Sequence, residues 1–227
     1  MMHSKRINIA TLIALAFHIS GFIAIAFYHS PFFIQLTPLN LFICFILVLW
    51  TQEKINPPFL FFLFFSICAG FVAEIYGVNT GKLFGSYQYG KILGPGIKNV
   101  PFIIGINWFG VMYCTSASMY MLKEWIMTKL PENAKSFPKW YFFITLVMDS
   151  ASLAVLFDWV IEPVAIKLGM WQWKTGEIPS LNYYSWFGVG LVIALFFHTL
   201  HFKKHNLFAV HLLMIQFFFF LLLKMYL

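Results

Sequence analysis

Acidic side chains within long apolar runs are the residues of this sequence best suited to chemistry. Glu74 lies near the end of one such run, and Asp149, Asp158 and Glu162 lie on another. An ionisable group at the centre of a membrane helix costs about 2.5 to 3.5 kcal/mol to insert, so each of these acids is a functional candidate. Carboxyl groups in such places can act as general acids and bases.

Asp158 and Glu162 form the most suggestive pair. They are four residues apart, so a helix places them about 40° apart on one face, whereas Asp149 falls nearly opposite. Two carboxylates side by side in a low dielectric repel each other when both are charged. We therefore expect one of the pair to hold its proton at neutral pH, which makes it a ready general acid.

Hydrogen bonding between helices is the alternative role for the same two acids. Candidate partners in the sequence are Asn107, Lys82 and Lys98. Amides such as Asn107 and Asn182 are also ordinary contacts between membrane helices. The residues alone leave both roles open.

The composition around these acids is that of an integral membrane protein. Of the 227 residues, 61% are apolar and 10% are charged, and the net charge is +7. Soluble domains carry roughly 25% charged residues, so a water-soluble globule is excluded. The cations stand mostly at the ends of apolar runs, which suits lipid headgroups, and we expect no nucleic-acid partner.

Apolar runs of sufficient length predict an all-α, polytopic membrane bundle. A helix needs about 20 residues to cross about 30 Å of hydrocarbon, so residues 1–227 are expected to form a single integral membrane domain. We expect about seven transmembrane helices, at approximately 7–28, 32–50, 58–76, 100–122, 139–165, 184–202 and 206–225.

Two loops, 77–99 and 166–183, differ from the others because they are rich in glycine, proline and aromatic residues. With seven spans, both loops lie on one side of the membrane. Lysine and arginine are more numerous on the other side, which also holds the N-terminus. The positive-inside rule therefore predicts a cytoplasmic N-terminus. The aromatic residues suit a belt at headgroup depth, or else one cap over a lipid-sized pocket.

Cofactor chemistry has little support in the sequence. His198, His201 and His205 project from one predicted helical face, but the last two stand beside Lys203 and Lys204 at the membrane end. No phosphate-binding glycine loop is present. We therefore expect neither a metal nor another cofactor.

Seven strings of residues carry a resemblance to a known family. They are EIYGVNTGKLFGSYQYG from Glu74, LGP from Leu93, VP from Val100, NW from Asn107, DWVIEPVA from Asp158, LGMWQW from Leu168 and IPSLNYYSWF from Ile178. In this order they resemble the membrane carotenoid 1,2-hydratases, a CruF-type family of carotenoid biosynthesis. The resemblance covers about residues 65 to 190.

The resemblance implies the addition of water to the terminal 1,2 (or 1′,2′) double bond of an acyclic carotenoid end. This reaction protonates the alkene, forms a tertiary cation and captures water, without a redox or nucleotide cofactor. We expect Asp158 or Glu162 to donate the proton, and its partner or Glu74 to deprotonate the water. We expect aromatic faces to stabilise the cation, from Tyr76, Trp108, Trp159, Trp171 and Trp173. We expect the amides of Asn107 and Asn182 to hold the water.

Two other functions remain open at this stage. A small membrane carotenoid or lycopene cyclase uses the same protonation but captures the cation with an internal double bond. A transporter or a carotenoid-binding subunit would use the acids for proton relay or packing. The expected partners are a carotenoid, water, the lipid bilayer and other carotenoid-biosynthesis enzymes, in a bacterial or archaeal cytoplasmic membrane.

Overall fold

The computed structural model describes residues 2–131 and 138–227, so the predicted loop from 123 to 138 lies partly outside the described residues. The described chain is mostly helical and contains two small antiparallel sheets. The helices are α1 (Met2–Ala26), α2 (Pro31–Gln35), α3 (Thr37–Thr51), α4 (Pro57–Thr80), α5 (Phe102–Lys129), α6 (Lys139–Lys167), α7 (Ser180–Thr199) and α8 (Leu207–Tyr226). The strands are β1 (Tyr87–Tyr89), β2 (Gly96–Ile97), β3 (Val100–Pro101) and β4 (Trp171–Trp173).

Six of the expected spans are confirmed as apolar helices of spanning length, namely α1, α4, α5, α6, α7 and α8. The expected span at 32–50 is instead divided into α2 and the 15-residue α3. Pro38, in the first turn of α3, has no amide hydrogen for the bond that a continuous helix would need there. At 1.5 Å per residue α3 is about 22 Å long, which is shorter than the hydrocarbon core of a bilayer.

Helices α3, α4, α6, α7 and α8 pack against α5, whose first half is mostly buried. The outer helices carry large exposed apolar side chains, for example Leu12, Phe64 and Val72. In water this surface would drive aggregation, whereas lipid chains solvate it. The bundle is therefore built for a membrane.

The ends of α4 follow from local sequence. Asn56 caps the first turn by accepting a hydrogen bond from the amide of Phe59, and Pro57 begins the helix, where a missing amide hydrogen costs nothing. At the other end the amide of Gly81 bonds to the carbonyl of Gly77, and Gly81 takes a φ of +68°. A left-handed residue there ends the helix and turns the chain into the following loop.

The two glycine- and aromatic-rich loops join through their strands. β1 pairs with β4 in antiparallel register, Tyr87 opposite Trp173 and Tyr89 opposite Trp171. Gly90 makes the approach possible, because a Cβ at this position would overlap the backbone carbonyl of Gly169. The expectation that both loops build one cap is confirmed by this pairing.

Candidate active site

Three of the acids singled out in the sequence, Glu74, Asp158 and Glu162, line one cavity beneath the cap. Its volume is about 40 Å³, room for about two or three water molecules. The cap therefore does not directly cover a lipid-sized pocket. The expectation of such a pocket is wrong for this cavity. The other lining residues are Phe84, Tyr87, Tyr89, Ile104, Asn107, Trp108, Trp171, Trp173, Asn182 and Trp186.

Glu74 lies in the last turns of α4 and is buried. One carboxyl oxygen, Oε2, accepts hydrogen bonds from the hydroxyls of Tyr87 and Tyr89, the latter at 2.7 Å. The other oxygen, Oε1, accepts a bond from the indole nitrogen of Trp108 at 3.0 Å. Three neutral donors thus hold this carboxyl group in place.

Asp158 and Glu162 share one face of α6, as their spacing predicts. The amide nitrogen of Asn182, in the first turn of α7, donates to Asp158 at 2.8 Å and to Glu162 at 3.3 Å. Neither Lys82 nor Lys98 forms an ion pair with these acids among the described residues, and no described lining residue is a lysine or an arginine. The partner is therefore Asn182 rather than either lysine. Asn107, the other candidate, lines the cavity but forms no hydrogen bond with these acids among the described residues.

The second oxygen of Glu162, Oε2, accepts hydrogen bonds from two indoles of the cap. The Nε1 atoms of Trp171 and Trp173 both donate to it at 3.0 Å. Alternate residues of a strand point to the same face, so β4 directs both tryptophans inward. Gln172 lies between them in the strand and does not line the cavity.

Tyr87 and Tyr89, which belong to the aromatic-rich loop 77–99, are site residues that the sequence analysis does not single out. Burial and the neighbouring Glu74 raise the pKa of both hydroxyls well above the usual value for tyrosine. They therefore remain neutral hydrogen-bond donors to Glu74 at physiological pH. The signal that could have found them is their i, i+2 spacing in YQY, which repeats that of WQW on β4.

Trp186, also missed, forms the wall beside Trp108. Their rings are stacked, with centroids 3.9 Å apart and an angle of 13° between the planes. By contrast, the structure does not bring Tyr76 or Trp159 to the cavity, and each is about half exposed on the outer surface. Tyr76 follows Glu74 by two residues, which places it about 200° around α4. Trp159 follows Asp158 by one residue, which places it about 100° around α6.

The three histidines considered as a metal site do not share a helix. α7 ends at Thr199, so His201 and His205 lie in the following loop rather than on the predicted helical face. His198 instead contacts the hydroxyl of Ser150 through Nε2 at 3.0 Å. The described residues include no group of three His, Cys, Asp or Glu side chains placed to hold a metal.

A polar cleft of about 850 Å³ opens on the far side of the cap tyrosines. Tyr87 and Tyr89 line both this cleft and the acid cavity. Lys91, Lys98 and Lys174 also line the cleft. Two neutral hydroxyls therefore separate the three buried acids from a polar surface.

Comparison with known proteins identifies a family to which this chain is similar. A family model described as carotenoid biosynthesis protein matches residues 35–227. Bisanhydrobacterioruberin hydratase of Haloarcula japonica is 27% identical over 128 residues, which are 55% of this chain and 39% of that protein. This chain thus spans about two fifths of the length of that curated relative. No solved structure matches this chain. Because the family model covers most of the sequence, the chain belongs to the carotenoid biosynthesis protein family.

Proposed function

We propose that this protein is a carotenoid hydratase that adds water to the terminal 1,2 (or 1′,2′) double bond of an acyclic carotenoid. The observation that carries the proposal is the cavity of three carboxyl groups, sized for water and lined by aromatic rings. Membership of the carotenoid biosynthesis protein family supports a carotenoid as the substrate class. The hydratase activity named for the Haloarcula japonica relative supports the reaction type.

Asp158 is the proton donor in this proposal. Among the described residues it accepts one hydrogen bond, from Asn182, whereas Glu74 and Glu162 accept three each. Donated hydrogen bonds stabilise a carboxylate, so Glu74 and Glu162 are the acids more readily ionised and available to accept a proton. A protonated Asp158 also avoids repulsion from Glu162, one helical turn away.

The steps balance without a redox partner. The proton of Asp158 bonds to the less substituted carbon through the alkene electron pair, which leaves a tertiary cation on the other carbon. Water bonds to that cation, and its extra proton passes to Glu74 or Glu162. Aromatic walls such as Trp108 and Trp186 stabilise the cation, and return of the proton to Asp158 restores the site. No external cofactor is required.

Water reaches the site from the polar cleft. Tyr87 and Tyr89 separate that cleft from Glu74, so movement of their rings admits a water molecule next to a carboxylate. Glu74 is then the base closest to the incoming water. Asn107, which also lines the cavity, offers an amide to orient it.

The decisive experiment compares two aspartates of the same helix. Asp158→Asn removes the proposed acid, whereas Asp149→Asn changes an exposed residue outside the cavity. Each variant is expressed in a host that accumulates lycopene or another acyclic carotenoid, and pigment masses are read by chromatography. We expect the wild type and Asp149→Asn to yield a pigment heavier by one water, and Asp158→Asn to lower that yield at least about a hundredfold.

Other outcomes would contradict the proposal in recognisable ways. A pigment isomer of unchanged mass would identify a cyclase. Full hydration by a well-folded Asp158→Asn variant would show that Asp158 has a structural role and is not the proton donor. Pigments left untouched by the wild type, with the protein present in the membrane, would favour carotenoid binding or transport over hydration.

We also propose that α2 and α3 complete a seventh crossing, with the N-terminus in the cytoplasm of a bacterial or archaeal cell. α1 and α8 run in the same direction, since Thr11 contacts His211 and His18 contacts Phe219. Thr51, the last residue of α3, receives a hydrogen bond from Asn206, just before α8. α3 therefore ends where α8 begins, opposite the cap, and reporter fusions at both termini test this topology.

A further inference from the structure

A second, larger cavity lies between α1, α3 and α8. Its volume is about 300 Å³, at the lower end of the range of pockets that bind small molecules, about 300 to 1,000 Å³. The walls are mainly apolar and include Phe33, Leu36 and Phe220. Leu168 and Met170 also line it, so the cavity reaches the residues that directly precede β4.

A small cavity of about 20 Å³ lies between this space and the acid site. Asn107 lines both the small cavity and the acid cavity. Leu41 and Gln216 line both the small cavity and the large one. The three cavities thus adjoin in a row from the acids to α1, with a narrow joint between α3, α5 and α8.

The joint carries two side-chain amides, Asn107 and Gln216. Neither forms a hydrogen bond with any residue that the structure describes. Neither amide would therefore lose a described hydrogen bond on changing its rotamer. The joint is therefore the part of the row best able to widen when a ligand enters.

The acid cavity is too small to hold more than the end of a carotenoid, so the rest of the chain must leave through a wall. The polar cleft beyond Tyr87 and Tyr89, with its three lysines, is unsuited to a hydrocarbon. The joint leads instead to an apolar space. The order of the adjoining cavities thus favours one direction for the chain.

We propose that the cavity between α1, α3 and α8 binds the polyene chain of the substrate, while its terminal double bond reaches the acids through the joint. This inference rests on the proposed function for the identity of the ligand. It assigns a binding role to α1, all of which lies before residue 35, where the family match begins.

The test fills the cavity and measures pigment binding rather than turnover. Gly21 lines the cavity, and a Cβ there would lie 3.6 Å from Phe219, an ordinary contact, so the rest of a larger side chain enters the open space. Gly21→Leu is made in the Asp158→Asn background, so that bound carotenoid is not converted. Leu41→Phe, at the joint, is the second filling variant.

Ile19→Phe is the matched control. Ile19 lies two residues from Gly21 on α1 but lines an open apolar groove on the other side of the α1–α8 pair. The proteins are expressed with lycopene, purified in detergent, and the ratio of pigment to protein is read by absorbance. We expect Gly21→Leu and Leu41→Phe to lower this ratio about tenfold and Ile19→Phe to change it less than about twofold.

The outcomes separate this inference from the proposed function. If both filling variants keep the pigment ratio of the control, the cavity does not hold the polyene and the inference fails, whatever the activity. If the filling variants lose pigment but the unmodified protein makes no hydrated product, the cavity assignment stands and the proposed function fails. Loss of pigment in all three variants would show unspecific damage to the helix bundle and overturn the assignment.

Discussion

Replacement of Gly70 by alanine tests how α4 and α5 position Glu74. Gly70 lies one turn before Glu74 on α4 and packs directly against Trp108. A Cβ at this position would lie 2.7 Å from Cδ1 of Trp108 and still closer to two other atoms of that side chain. Real Cβ atoms do not make such contacts, so Trp108 must move.

The size of the effect follows from that displacement. Ordinary contact requires the ring to retreat by about 1 Å, which would lengthen the 3.0 Å bond from Trp108 to Glu74 beyond the hydrogen-bonding range. Loss of a bond to a charged group costs about 1.5 to 3 kcal/mol and overpacking costs about 1 to 3 kcal/mol. The better helix propensity of alanine returns about 1 kcal/mol. The net loss in the free energy of unfolding is therefore about 1.5 to 5 kcal/mol.

Activity should fall along with stability. A shift of about 1 Å in a group that positions the reacting atoms can lower the rate about a hundredfold. Gly188→Ala is the matched control, because Gly188 is also in a membrane helix and a Cβ there meets no atom within 4 Å. The measurements are the midpoint of thermal unfolding in detergent and the yield of hydrated carotenoid per protein. If Gly70→Ala equals Gly188→Ala in both, the described packing of Trp108 against α4 is refuted.

Three further predictions concern the cap. Tyr89→Phe removes a 2.7 Å donor to Glu74 and should lower the hydration yield about tenfold, whereas Tyr184→Phe, an exposed hydroxyl, should not. Gly90→Ala should separate β1 from β4, because its Cβ overlaps the backbone of Gly169, and should speed proteolysis of the cap. Burial raises the pKa of Tyr87 and Tyr89 in the folded protein, so their contribution to stability should be intact below pH about 10 and fall above it, as followed by unfolding against pH.

Helical periodicity explains what the sequence predicts well. The four-residue spacing of Asp158 and Glu162 depends only on the turn of one helix, and the structure places both on one cavity wall. The same rule excludes Tyr76 and Trp159, which stand at other angles on α4 and α6. Their inclusion among the expected site residues followed from aromatic type and sequence proximity, not from helical phase.

Contacts between distant segments explain what the sequence leaves open. Asn182, one of the expected site residues, bridges Asp158 and Glu162 from α7, but no pattern within α6 distinguishes it from Asn107 or the two lysines as their partner. The break between α2 and α3 is a different case, since Pro31 and Pro38 are visible in the sequence. Continuous apolar composition from 32 to 50 gave one predicted span because hydropathy does not register a missing amide hydrogen.

The cap has a local logic that connects these two cases. Glu74 is followed after 13 and 15 residues by the two tyrosines that bond to it, and Glu162 after 9 and 11 residues by its two tryptophans. Each acid near the cap end of a helix thus receives donors from the strand that its own helix leads into. Pairing of β1 with β4 then joins the two halves over one cavity. An acid followed within 15 residues by aromatic–Gln–aromatic is a pattern that sequence can show, whereas the pairing that unites two such units belongs to the fold.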